Sequence, residues 1–215
     1  MILHGYWRSG AAYRVRIALN LKGVAYAQHG VDLRTGAQRD PAFLARNPQG
    51  LVPALEADGL ILTQSPAILE WLEETRPEPA LLPRGADERA QVRAMAALIA
   101  CDVHPLNNLR VLTALRGDFG ADQTRIDAWA DRWISAGFDA LERLVERHGE
   151  GFCFGPSPTF ADVNLIPQMY SARRFNVDPT RWPRLSAVEA AALALPAFAD
   201  AHPDRQPDSD GPPQG

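Results

Sequence analysis

The chain has 215 residues, with 22 Lys or Arg against 26 Asp or Glu, and its formal net charge is -4. Proteins that bind nucleic acid non-specifically need a basic surface, so this slightly acidic chain predicts no nucleic-acid partner. No apolar run is long enough to span a bilayer and the N-terminus lacks a signal-peptide pattern, so we expect no membrane partner and a cytoplasmic protein.

The first 75 residues alternate predicted strands and helices in the order β-α-β-α-β-β-α. The dipeptide Asp58-Gly59 joins two apolar runs and is typical of a tight hairpin. A helix connects the first two strands, which predicts that they are parallel, and the hairpin adds two more strands. Residues 1–78 are therefore predicted to form an α/β domain. Predicted strands cover residues 2–7, 26–33, 52–57 and 60–64, and predicted helices cover residues 11–22 and 41–46 and begin again at Ser65.

The rest of the chain is predicted to be helical. Residues 76–86 are rich in proline and are interpreted as a linker, which leaves residues 86–215 as a second, all-helical domain. The sequence Thr159-Phe-Ala-Asp162 is typical of a capping box. The tail from Pro203 has four prolines and is expected to be either disordered or a strap over the surface. Predicted helices cover residues 87–116 (one helix or a kinked pair), 122–147, a stretch from 159 and 184–195.

Pro53 lies at the start of a predicted strand, where a trans proline would disturb the pairing. A cis Val52–Pro53 bond would turn the backbone of Val52 outward, where it could pair with an extended peptide. The alternative is an ordinary edge-strand proline. The two cysteines have no partner at metal-ligand spacing, so we predict no metal site.

Two helix N-termini are candidate anion sites. Gln64 and Ser65 lie at a strand-to-helix junction, where a hydroxyl and free backbone N–H groups suit a carboxylate. Ser9, followed by the small residues Gly10 and Ala11, begins the first helix and suits a thiolate, whose pKa a helix N-terminus lowers. The alternative at both places is simple N-capping.

A third candidate region lies in the helical half. Pro105 should kink its helix, and His104 and Asn108 are four residues apart, so we expect them to share one face of a polar cleft together with Arg110. Arg173 and Arg174 end a later helix, where the alternative role is to complement the helix dipole.

These motifs resemble the zeta class of the glutathione transferases, from Leu3 to about Ala199. The resemblance rests on residues 14–23, on Asn47 to Leu55 and on Gln64 to Ile68. Typical zeta-class members have Ser-Ser-Cys where this chain has Ser9-Gly10-Ala11. The Arg-Ser-Gly start, His104-Pro-x-Asn-Asn108 and the run from Ser171 to Phe175 are more similar to the bacterial maleylpyruvate isomerases of gentisate breakdown.

The resemblance implies a thioredoxin-like domain followed by a helical bundle, a homodimer, and glutathione as cofactor. It implies cis–trans isomerisation of a maleyl dicarboxylate, maleylpyruvate to fumarylpyruvate, in which the glutathione thiolate adds to the alkene and leaves after rotation. Alternatives are maleylacetoacetate isomerisation, glutathione conjugation or dehalogenation, and glutathione binding without catalysis. The implied roles are catalysis for Arg8 and Ser9; glutathione binding for Gly10, Ala11, Gln49, Val52, Pro53, Gln64, Ser65, His104 and Asn108; and carboxylate binding for Arg8, Arg110 and Arg174, with Arg173 as the alternative to Arg174.

Overall fold

The computed structural model describes residues 1–210, which form two compact units. Of the described residues, the first unit contains 1–80 and 195–210, and the second contains Leu81–Ala194. The boundary near residue 80 lies within the predicted linker. The C-terminal tail, which the sequence assigned to the helical domain, differs from that expectation because it packs on the first unit.

A four-stranded mixed sheet forms the centre of the first unit, in the order β2-β1-β3-β4. β1 pairs in parallel with β2, as predicted, and the structure shows that β1 also pairs antiparallel with β3. β3 begins two residues later than expected, because Pro53 has no N–H to donate to the ladder. The strands are β1 (Ile2–Gly5), β2 (Ala27–Gly30), β3 (Ala54–Ala57) and β4 (Leu60–Thr63).

Three helices of the first unit follow the predicted order, which confirms the α/β arrangement. They are α1 (Gly10–Leu21), α2 (Pro41–Leu44) after a 3-10 turn at Ala37–Arg39, and α3 (Ser65–Thr75). Apolar side chains of α1 and α3 are fully buried, among them Ile17 and Leu72, so these two helices build the core together with the sheet.

Lys22, the only lysine of the chain, is buried just after α1. Its side chain is 0% exposed and its ammonium lies 2.6 Å from the Glu73 carboxylate. It also donates to the carbonyl of Pro79, at 2.7 Å. One cation therefore joins the ends of α1 and α3 to the chain that follows α3.

The described part of the C-terminal tail is a strap on the first unit. Arg16 and Asn20, both in α1, donate to carbonyls of this segment. The Asp208 carboxylate accepts hydrogen bonds from the Trp7 N–H at 3.0 Å and from Gln28 at 2.9 Å. The strap alternative concerned the tail from Pro203 and is confirmed for residues 203–210, which begin with a 3-10 turn at Pro203–Arg205. The preceding α9 (Pro196–Ala199) belongs to the same unit. Residues 211–215 lie outside the described residues.

The second unit is helical, as predicted. Among residues 1–210, no helix is both long and apolar enough to cross a membrane. The capping box at the start of α7 is confirmed, and Asp162 accepts from the N–H groups of Thr159 and Cys153, each at 2.7 Å. The helices are α4 (Ala86–Ala97), α5 (Leu109–Phe119), α6 (Gln123–His148), α7 (Phe160–Arg174) and α8 (Pro183–Leu193), and a 3-10 turn covers Pro179–Arg181.

The chain between α4 and α5 confirms the kinked-pair alternative. A π-helical turn (Leu98–Val103) and a 3-10 turn (His104–Asn107) replace the α-helix, so the break begins before Pro105. α6 packs tightly against the π-helical turn at Gly137, where an added Cβ would lie 2.2 Å from a Val103 methyl group. Glycine therefore allows α6 to approach the segment that leads into His104.

Candidate functional site

The N-terminus of α1 offers unused hydrogen-bond donors. Ser9 caps the helix, and its Oγ accepts the Ala12 N–H at 3.2 Å. The N–H groups of Gly10 and Ala11 have no acceptor among the described residues. Because the Ser9 hydroxyl can donate its proton while it accepts, capping and anion binding are compatible here. The positive end of the helix dipole suits a thiolate at this place.

Arg8 lies directly before this helix start. Its guanidinium lies over the Trp7 ring, 4.4 Å from the ring centroid, and 3.8 Å from a carboxylate oxygen of Asp210. About a third of the side chain is exposed, so it can still meet a ligand. The stack on Trp7 limits the directions in which the guanidinium can point.

The N-terminus of α3 is the second predicted anion site of the first unit. Gln64 has φ of 66° and ψ of 111°, a backbone conformation that non-glycine residues adopt at an energetic cost and that is common at binding sites. Its side-chain amide donates to that of Gln49 at 2.6 Å. Ser65 follows, and its hydroxyl accepts a hydrogen bond from Arg14 at 3.3 Å. The structure thus brings three predicted site residues together.

The loop before β3 carries the predicted peptide-binding backbone. The Val52–Pro53 bond is cis, which is one of the two alternatives that the sequence left open, and Val52 lies outside the ladder that begins at Ala54. Asn47 shapes the loop, because its side chain donates to the Leu51 carbonyl at 2.6 Å and accepts from the Gln49 N–H at 3.1 Å.

The second unit holds the predicted residues His104, Asn108 and Arg110. His104 begins the 3-10 turn, and Asn108 caps α5 by accepting the Val111 N–H at 3.2 Å. The expectation that His104 and Asn108 share one helix face is wrong, because Asn108 is an extended cap residue after the break. Arg110 is exposed in the first turn of α5 and forms no ion pair within residues 1–210.

The structure separates the two arginines at the end of α7. Arg173 forms a two-pronged ion pair with the buried carboxylate of Glu189, which raises the pKa of the arginine. Arg174 is exposed and its guanidinium lies 5.9 Å from the Phe175 ring centroid. Arg173 is therefore engaged with Glu189 within its own unit, and the carboxylate-binding role of Arg174 stays a prediction.

Arg14 contacts a predicted site residue, Ser65, and was not singled out by the sequence analysis. It lies on the buried face of α1 beneath Ser65 and is 2% exposed. The available signal was its position next to apolar residues of α1, where a charged residue needs a reason to be buried. Among residues 1–210, no cluster of three side chains suited to a metal ion is present.

Comparisons with known proteins show the family of the chain. A family model described as the N-terminal domain of glutathione S-transferase matches residues 8–75. The chain is 54% identical to maleylpyruvate isomerase from a Ralstonia species over 97% of this chain and 100% of the relative. It is 50% identical to maleylacetoacetate isomerase from Pseudomonas aeruginosa, over 97% of this chain and 99% of the relative.

Two solved structures are similar over nearly the whole chain. One is a holo maleylpyruvate isomerase, described as a bacterial zeta-class glutathione S-transferase, with a TM-score of 0.95 and 54% identity over 97% of this chain and 100% of that chain. The other is maleylacetoacetate isomerase from Methylobacterium extorquens AM1 with bound malonate and glutathione, with a TM-score of 0.93 and 43% identity over 99% and 100% of the two chains.

Proposed function

The chain belongs to the zeta class of the glutathione S-transferase family, and we propose that it is a glutathione-dependent cis–trans isomerase that converts maleylpyruvate to fumarylpyruvate. The observation that carries the proposal is the 54% identity to a maleylpyruvate isomerase over the full length of that relative. The chemistry of the first unit supports the proposal, because its free donors lie where an anionic thiol cofactor needs them.

The donors of the first unit fit an extended tripeptide with a thiol and a carboxylate. Ser9 and the N–H groups of Gly10 and Ala11 hold a thiolate, and the backbone of Val52 pairs with the peptide. Glutathione supplies, when bound, a thiolate that can add to the alkene of the substrate and leave again after rotation. We assign the cofactor to these residues together with Gln49, Pro53, Gln64, Ser65, His104 and Asn108.

The substrate is a dianion, and arginine is suited to it because a guanidinium binds a carboxylate through two parallel hydrogen bonds. Arg8, Arg110 and Arg174 are the proposed partners. Negative charge develops on the substrate carbonyl when a thiolate adds to the conjugated alkene, and a fixed cation stabilises that charge. Arg8 is the candidate for this role because it precedes Ser9, the proposed thiolate partner.

Substitution of the arginines tests these roles. Arg8→Met, Arg110→Met and Arg174→Met should each lower kcat/KM for maleylpyruvate roughly tenfold to over a hundredfold, since a hydrogen bond to a charged group contributes about 1.5–3 kcal/mol. Arg173→Met is the matched control and should lower stability rather than kcat/KM. Unchanged kcat/KM in all three variants would show that these arginines do not bind the substrate.

A second candidate substrate is maleylacetoacetate, which the 50% identity to the Pseudomonas aeruginosa relative favours. Both substrates carry the same maleyl alkene and differ in the chain beyond it. Parallel assays of the purified protein with both substrates, with and without glutathione, decide between them. The proposal requires the larger glutathione-dependent kcat/KM with maleylpyruvate, and activity on neither substrate refutes isomerisation.

We also propose a cytoplasmic homodimer. Large apolar side chains are exposed on both units, including Leu60 and Ile61 in β4 and Phe119 at the end of α5, and association would remove such surface from water. Light scattering should give twice the 23.5 kDa mass of the chain. A particle of single-chain mass at micromolar concentration would contradict the dimer.

A further inference from the structure

The hydroxyl oxygen of Ser65 accepts a hydrogen bond from a buried arginine. Ser65 is the first residue of α3 and is 4% exposed, and its Oγ accepts a hydrogen bond from the Arg14 guanidinium at 3.3 Å. A guanidinium can only donate, whereas a serine hydroxyl can accept and donate at the same time. Among the described residues the Ser65 hydroxyl has no acceptor for its own proton. That proton is therefore left for a ligand.

Arg14 also places a positive charge behind the N-terminus of α3. Burial of a cation is costly unless nearby groups stabilise it, and Arg14 is 2% exposed. The helix dipole makes the same end of α3 positive. The two effects add, so an anion in front of Ser65 meets a stronger field than the helix end alone would provide.

Arg16, two residues along α1, is a buried arginine with a different role. It is 1% exposed and donates to two backbone carbonyls, those of Ala201 and Trp7, both at 3.0 Å. These bonds hold the C-terminal strap against the start of α1. α1 thus carries two buried arginines with different partners. Arg14 contacts the proposed cofactor site through Ser65, whereas Arg16 stabilises the fold by binding backbone carbonyls.

We propose that Arg14 is a positioning residue for glutathione: by donating to Ser65 Oγ, it directs the hydroxyl proton toward the α-carboxylate of the γ-glutamyl group. Its charge stabilises that carboxylate from behind the helix. This inference rests on the proposed function, in which Ser65 binds glutathione, and adds the residue that orients Ser65. Three groups then recognise the cofactor carboxylate. They are the Ser65 hydroxyl, whose proton points toward the ligand, the N-terminus of α3 and the buried Arg14 guanidinium.

Calorimetric titration with two ligands tests the proposal. The first ligand is glutathione, and the second is 4-aminobutyryl-cysteinyl-glycine, which is glutathione without its α-carboxylate. Arg14→Met should weaken glutathione binding about tenfold, the effect of losing one charge-assisted contact. For the second ligand, the Kd of the Arg14→Met variant should stay within twofold of the Kd of the unaltered protein. Equal losses for both ligands would overturn the proposal, because a purely structural role affects them alike.

A double-mutant cycle tests the route through Ser65. In a Ser65→Ala background, Arg14→Met should weaken glutathione binding by less than threefold, because the hydroxyl that it orients is absent and only the effect of its charge remains. Fully additive losses would overturn the positioning role. Arg14→Gln keeps a donor for Ser65 without the charge and should recover part of the affinity, which provides a milder variant if Arg14→Met does not fold.

Arg16→Met is the matched control for the loss of a buried arginine from α1. It should lower the melting temperature while the Kd for glutathione stays within twofold. If Arg16→Met weakened glutathione binding as much as Arg14→Met does, the proposal that only Arg14 acts on the cofactor would be overturned. Failure of the unaltered protein to bind glutathione would instead refute the proposed function, so the two failures are distinguishable.

Discussion

Replacement of Gly137 by alanine should disturb the contact between α6 and the π-helical turn. The added Cβ would lie 2.2 Å from a Val103 methyl group and 3.3 Å from a Leu98 methyl group. Val103 must therefore move by roughly 1 Å, and overpacking of this kind costs about 1–3 kcal/mol. For a chain of this size, each kcal/mol lowers the melting temperature by roughly 2–4 °C.

The same substitution should affect cofactor binding, because the π-helical turn leads directly into His104, a proposed glutathione contact. We expect Gly137→Ala to raise the KM for glutathione several-fold, and the double variant with Val103→Ala to recover part of both losses, since neighbouring changes of volume are not additive. Thermal unfolding and glutathione-dependent isomerisation are the assays. A melting temperature within 1 °C of that of the unaltered protein, or strictly additive losses in the double variant, would refute this packing argument.

Three further predictions concern the first unit. Asp208→Ala removes the acceptor of the Trp7 N–H, and we expect a loss of about 1–3 kcal/mol and faster proteolysis of the C-terminal strap; unchanged proteolysis would contradict the strap's dependence on this carboxylate. Lys22→Met removes the ammonium from the buried Glu73 carboxylate and should cost about 3–5 kcal/mol in urea denaturation. Addition of Glu73→Leu should recover most of this loss. No recovery would show that the loss does not come from the unpaired Glu73 carboxylate. Burial lowers the pKa of His4, so the unfolded chain binds the proton more tightly and stability should fall as pH drops below about 6.5. His4→Gln should remove that component of the pH dependence. If the free energy of unfolding of this variant still falls equally with pH, His4 is not the source.

The order of the elements could be predicted because its signals are local. Asp58-Gly59 specifies a hairpin from two residues, and Thr159 with Asp162 specifies a helix start from four. The strap could not be placed in the same way, because Asp208 and its partner Trp7 are 201 residues apart in sequence. Nothing in a proline-rich tail reveals which distant backbone N–H its carboxylate will accept.

The candidate site was predictable where it consists of helix ends and less so where it consists of arginines. Ser9 and Ser65 carry the hydroxyl-plus-helix pattern in the sequence itself. The ion pair of Arg173 could not be predicted from the sequence, because its partner Glu189 lies on another helix. Arg14 was hidden because nearly every cation of this chain is an arginine, so its residue type alone does not distinguish a buried role from an exposed one.

The position of the only lysine has a practical consequence for chemical labelling. Because the Lys22 ammonium is enclosed by Glu73 and backbone carbonyls, an acylating reagent should modify it only slowly in the folded protein. An amine-reactive dye applied to the folded protein should therefore leave Lys22 unlabelled. The appearance of a label on Lys22 during heating would then report the opening of this buried site.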